Sequence, residues 1–187
     1  MQVSEVGPVV TASLQRLTGA ARADGAQLWL VRAGSPAEVA TLAQTPRWHR
    51  DIDGLGGFGV LLAWEGEAPA FEQVSELARV LIGEGLFYLG AWGPGSARVE
   101  YAVDVTDVTM QIDASDGPDA AIVVTTAFGS VPLEEALFEL WELAPRDEGK
   151  LDGPARVVVV LGGAQALAHT VRDRAANRDD LPTPDAT

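Results

Sequence analysis

The chain has 187 residues, 47% of them hydrophobic, which suits one domain with a sizeable core. Its formal net charge is −14, from 27 acidic and 13 basic residues, and that disfavours a surface built for the phosphates of DNA or RNA or for an anionic membrane. Cysteine is absent, which excludes disulfides, thiolate catalysis, iron–sulfur clusters and cysteine zinc sites.

The first ten residues, MQVSEVGPVV, hold an acid and no base, unlike a signal peptide. No apolar run approaches the length of a membrane span. The expectation is therefore a cytoplasmic protein with no membrane or nucleic-acid partner. Its acidity serves solubility or suits a basic protein partner.

After Pro8, the residues Val9, Val10, Leu14 and Leu17 predict an N-terminal helix. Gln27 to Arg32 predicts a strand, and Ser35-Pro36 with Glu38 predicts a helix start with Val39, Leu42 and Ala43 on its buried side. Thr45 to Gly57 reads as a loop. It carries Arg47, Trp48, His49 and Arg50, a local cationic cluster that is either a loop anchored by Trp48 or an anion-binding or partner-binding surface.

The stretch from Phe58 to Gly95 organises the rest. Phe58 to Trp64 is a continuous apolar run, as expected of a strand buried on both faces. Pro69 suits a helix's first turn. Phe71, Val74, Leu77, Ala78, Leu81 and Ile82 then share one helical face, with Glu72, Gln73, Glu76 and Arg79 opposite. Gly83 and Gly85 offer a left-handed stop, and Leu86 to Ala91 is a second buried strand. Two buried strands joined by a helix form a βαβ unit, with a parallel pair and a right-handed crossover.

Further on, Pro94 and Ser96 predict a short helix to about Asp104, and Val108 to Ile112 alternates like an edge strand. Glu100, Asp104, Asp107, Asp113, Asp116 and Asp119 read as a solvated face leading to a flexible loop. Their spacing does not match an EF-hand. Ala121 to Thr126 predicts another strand, Pro132 with Glu134 and Glu135 another helix start, and Arg156 to Leu161 the last strand, with a helix from about Ala164.

The alternation predicts an α/β fold. We expect a three-layer sandwich of the Rossmann-like or flavodoxin-like type, with a mostly parallel sheet of five to six strands and helices on both faces. Residues 1–57 are expected to form a helix–strand–helix extension packed on the same domain, 58–177 the core, and 178–187 a disordered acidic tail. Strand order is not readable from one sequence.

The segments LLAWEGEAP, LIGEGLFYLGAWGPG and VVTTAFGSVPLEEALFELW resemble the DUF7684 family, a bacterial domain of unknown function, over about Phe58 to Ala168. The resemblance implies one α/β domain and no named activity, and leaves the first 55 residues outside. It also implies Trp-His after the two threonines in many relatives. This chain has Ala127-Phe128 there, so it lacks that histidine.

Ligands of open α/β sheets bind beyond the carboxyl ends of the strands. Here those ends carry Glu65 and Glu67, then Trp92, Gly93 and Gly95, then Thr125 and Thr126, and then Gly162 and Gly163. Helix N-termini at that edge suit a small anionic or nucleotide-like ligand. The glycines match neither a Walker loop nor the full GxGxxG fingerprint. No serine lies in a GxSxG elbow, and His49 and His169 are far apart in sequence. No cofactor and no metal site is predicted, although a carboxylate-only magnesium site stays open. Two functions compete: a non-catalytic accessory, regulatory or immunity-type protein acting on a protein partner or as a homo-oligomer, and a small-molecule binder or enzyme using the sheet's carboxyl edge.

Overall fold

The computed structural model describes residues 12–17, 27–52, 57–113, 122–143 and 155–177. In chain order its elements are β1 (Ser13–Arg16), β2 (Leu28–Ala33), α1 (Pro36–Ala43), α2 (Pro46–Asp51), β3 (Phe58–Ala63), α3 (Phe71–Gly83), β4 (Leu86–Trp92), α4 (Ser96–Asp113), β5 (Val124–Ala127), α5 (Leu133–Phe138), a π-helical turn (Glu139–Leu143), β6 (Ala155–Leu161) and α6 (Gln165–Ala176).

Every residue of β3 and β6 is buried, as their apolar runs require. The six strands form one sheet in the order β1-β2-β6-β3-β4-β5. All neighbours pair in parallel except β1, which runs antiparallel to β2. Alternate residues of β6 serve two cores. Val157, Val159 and Leu161 join one with residues of α1, α3 and α4, and Val158 and Val160 join the other with residues of α5, the π-helical turn and α6. The placement follows from connection handedness. The chain steps one way along the sheet from β2 to β5 and then returns to β6, so a right-handed return puts α5 on the opposite face. The expected α/β sandwich with helices on both faces is present.

Three local readings change. Ser13–Arg16, within the expected N-terminal helix, is a strand. Its pairing with the free edge of β2 outweighs a helical spacing of two leucines, and Leu14 and Leu17 end in different cores. Val9 and Val10 lie outside the described residues, as do Asp116, Asp119 and 178–187. Pro46–Asp51, read as loop, is a short helix, with the Thr45 hydroxyl accepting from the Trp48 N–H at its start. The short helix and edge strand expected between Ser96 and Ile112 are one 18-residue helix, α4. The alternation at Val108 to Ile112 is half of a helical pattern that begins at Tyr101.

Candidate functional site

The carboxyl ends of β3 and β4 are closed by the protein's own indoles. Trp64 is buried. Its N–H donates to the Trp92 carbonyl at 3.1 Å, and its Nε1–H donates to the Pro94 carbonyl at 3.1 Å. Gly93 has φ +138°, and a Cβ there would lie 2.6 Å from the Trp64 carbonyl oxygen. The Trp-Gly-Pro-Gly turn therefore takes glycine because Trp64 sits against its backbone. Trp92 donates its Nε1–H to the Val131 carbonyl at 2.9 Å, which ties the next loop to the same end. Gly95 has φ +75°, and a Cβ there would meet Ala68 at 3.2 Å. Glu65 and Glu67 are exposed beside this closed end.

Thr125 and Thr126 do not converge, because successive residues of a strand face opposite sides. The Thr125 hydroxyl donates to Asp104 Oδ1 at 2.6 Å. Thr126 lies on the other face, close to the buried hydroxyl of Tyr88. Burial pushes the Tyr88 pKa up to about 12, with Thr126 opposing the shift and the Glu139 carboxylate adding to it.

Gly162 and Gly163, with φ +72° and +68°, turn the chain from β6 into α6. This end of the sheet is open. A cavity of about 300 Å³ lies at the carboxyl ends of β2 and β6, with Ser13, Arg32, Gly34, Gly163, Ala164 and Gln165 in its lining. The helices after these two neighbouring strands lie on opposite faces, which makes the spot a topological switch point. Among the described residues, Arg32 is the charged side chain in the lining, and the Glu38 carboxylate sits beside it, accepting from the Gly34 N–H at 3.1 Å. The first turn of α6 has no side-chain cap. Of the residues expected at the carboxyl edge, the structure thus gathers Gly163 here and leaves Glu65, Glu67, Trp92, Gly93, Gly95, Thr125 and Thr126 elsewhere. Arg32 joins because β2 pairs with β6, and Ser13 because β1 pairs with β2, contacts without a sequence signal.

The cationic cluster of α2 is engaged internally. Trp48 is fully buried and meets Phe58 edge-on at 5.3 Å. Arg47 donates to the Leu14 carbonyl at 2.7 Å, Arg50 pairs with Asp51 at 2.9 Å, and His49 Nδ1 lies 3.1 Å from Glu84 Oε2. The Arg50 hydrogen bond, with help from Arg47, holds the Asp51 carboxyl below its usual range.

The feature that the sequence reading missed is α4, which has three distinct sides. Val99, Ala102, Val103 and Thr106 are buried towards the core. Glu100, Asp104 and Asp107 face β5. Asp107 Oδ2 accepts from the Val123 N–H at 3.3 Å and from Gln111 Nε2 at 2.9 Å. Glu100 Oε1 accepts from the Ala127 N–H at 3.1 Å. In a parallel ladder alternate N–H groups point to opposite sides, and Phe128 donates inward to Ala91. The carboxylates thus take outward N–H groups of the edge strand and block it to a further strand. Part of the acidic run expected to be solvated is this edge cap, and Asp107 is only 5% exposed.

The third side of α4 is apolar and faces water. Tyr101, Val105, Val108 and Ile112 are 62%, 36%, 53% and 71% exposed. Their spacing of four, three and four residues puts them on one stripe, with Phe71 of α3 tilted against Tyr101 at a centroid distance of 6.2 Å. At 3.6 residues per turn this stripe is centred about 150° from the core side. The same spacing is legible in the sequence once 96–113 is taken as a single helix.

Among the described residues, no group of three or more His, Asp or Glu side chains is placed to hold a metal ion. Among them no helix is long and apolar enough to cross a membrane. The six-stranded, mostly parallel sheet with helices on both faces defines a protein of the α/β class. The chain belongs to the family described as Domain of unknown function (DUF7684), whose sequence model matches residues 28–172. The match begins at β2, so it takes in α1 and α2, which the resemblance read from the sequence left outside. No curated protein matches the chain.

Proposed function

We propose that this is a non-catalytic accessory, regulatory or immunity-type protein that acts in the cytoplasm by binding protein through the outer face of α4. The observation that carries the reading is the stripe Tyr101, Val105, Val108 and Ile112 with Phe71 beside it. Five side chains with these exposures present roughly 400–500 Å² of surface, the size of the largest apolar patch on a typical monomer, which is often functional. Burying such a patch is favourable by about 25 cal/mol per Å² before the cost of association is subtracted. Packing among the described residues leaves the stripe in water, so their fold gives no reason for it. The net charge of −14 argues against nucleic acid as the partner.

A photo-crosslinking residue in place of Val108, in the full chain in its host cells, tests this. The expected outcome is covalent protein adducts from position 108 and none from position 76 on the charged outer face of α3. Equal or absent crosslinking at the two positions contradicts the reading.

The cavity between β2 and β6 favours a second reading, a site for a small anionic ligand. Its lining among the described residues holds Arg32 and the uncapped start of α6, and the neighbouring Glu38 carboxylate is taken up by the Gly34 N–H. Titration with inorganic phosphate and a nucleoside diphosphate, followed by calorimetry, is expected to give binding that Arg32→Gln weakens at least fivefold. An unresponsive protein at millimolar ligand removes this reading.

A further inference from the structure

We infer that the partner of the α4 face is a second copy of this chain, packed helix against antiparallel helix across a two-fold axis. The inference rests on the reading that this face binds protein, and it names the partner.

Three observations carry it. The first is the symmetry of the stripe. Tyr101, Val105, Val108 and Ile112 alternate four and three residues apart, the spacing of a coiled-coil seam. Reversing the helix about the midpoint between residues 106 and 107 returns the same stripe. Tyr101 then meets Ile112 of the second copy, and Val105 meets its Val108. A two-fold interface needs a patch complementary to itself, and this one has its small residues at the centre and its large ones at both ends.

The second observation is charge. The chain carries −14, so two copies repel unless their acids point elsewhere. Within α4, Glu100, Asp104 and Asp107 turn towards β5 and are bound there. No residue from Tyr101 to Ile112 on the stripe is charged. One turn before the stripe, Arg98 is exposed and makes no ion pair among the described residues. The last turn of α4 has no basic residue and ends at Asp113. In the antiparallel pair, Arg98 of each copy lies near that negative helix end of the other, which favours a cation. The two-fold axis makes this contact twice.

The third is area. A patch of roughly 400–500 Å² on each copy gives a total below about 1,200 Å², the size of a weak, reversible association. We therefore expect a dimer that forms in the micromolar range.

Sedimentation of the full chain at about 0.15 M salt, which screens the net repulsion, tests this. Over about 1–300 μM, a range that brackets a micromolar Kd, the average mass should rise from 19.6 kDa towards twice that value. Val108→Glu and Val105→Lys should each remain monomeric throughout. An equimolar mixture of the two should associate again, because the antiparallel pair sets 105 against 108. A parallel pair sets each position against itself and gives no rescue. Arg98→Glu, a rim change that leaves the stripe intact, should weaken association roughly three- to tenfold. Circular dichroism shows whether each variant is folded.

A wild-type chain that stays monomeric at every concentration overturns the inference. Crosslinks from position 108 to a different protein would in that case leave the interaction reading standing. A dimer that Val108→Glu does not disrupt also overturns it, since association then uses another surface.

Discussion

Helices α3 and α4 lie side by side on one face of the sheet and bury apolar residues in the same core. Their outer sides differ. α3 buries Val74, Leu77, Ala78 and Leu81, and it turns Glu72, Gln73, Glu76 and Arg79 to water. Its Glu76 and Arg79 even pair across one turn at 2.6 Å. α4 buries a similar row but turns Tyr101, Val105, Val108 and Ile112 outward. Apart from Phe71 beside Tyr101, α3 is finished for solvent, and its neighbour is not. Folding explains the inner rows of both, and only α4 has an outer row that folding leaves unexplained.

If the inner rows are equivalent core, cutting either should be costly. Leu81→Ala removes a fully buried side chain from α3 and is expected to destabilise the fold by about 2–5 kcal/mol in chemical denaturation. A loss under 1 kcal/mol would show that this side is not the tightly packed core described here.

A smaller effect tests the side of α4 that faces β5. Asp107→Ala leaves the buried Val123 N–H without its acceptor and should cost about 1–3 kcal/mol. Asp107→Asn keeps an acceptor and should recover most of it. Hydrogen exchange at the Val123 amide should speed up in the alanine variant and stay near wild type in the asparagine variant. Unchanged exchange in both would mean that the carboxylate does not protect the edge.

The difference between the two helices also explains what the sequence disclosed. The α3 pattern is legible because one face is apolar and the other charged. The same clarity holds for β3 and β6, whose runs are apolar throughout because both faces are covered. α4 defeats that logic. With apolar residues on two opposed sides it has no single amphipathic direction, and Val108 to Ile112 then passes for a strand. β1 was illegible for another reason, since four residues with one buried leucine acquire their form from pairing with β2. Of the candidate site, the glycines at 93 and 95 were visible, but their cause was not. Trp64 sits some thirty residues earlier, and its contact with Gly93 exists only in three dimensions. Gly163 was legible as a residue at the end of β6, while the position of Arg32 beside it depended on a strand order that sequence does not show.

If the outer row of α4 serves contact and not folding, removing it should leave the monomer's stability in place. Chemical denaturation of the triple variant Tyr101→Ser, Val108→Ser, Ile112→Ser tests it most directly, at a concentration too low for self-association. These positions are exposed, and surface changes of this kind move stability by about 0.5 kcal/mol or less each. The unfolding free energy should stay within about 1.5 kcal/mol of wild type, with association lost at high concentration. A loss of several kcal/mol, on the scale of Leu81→Ala, would mean that the stripe belongs to the monomer's own core and is not a contact surface.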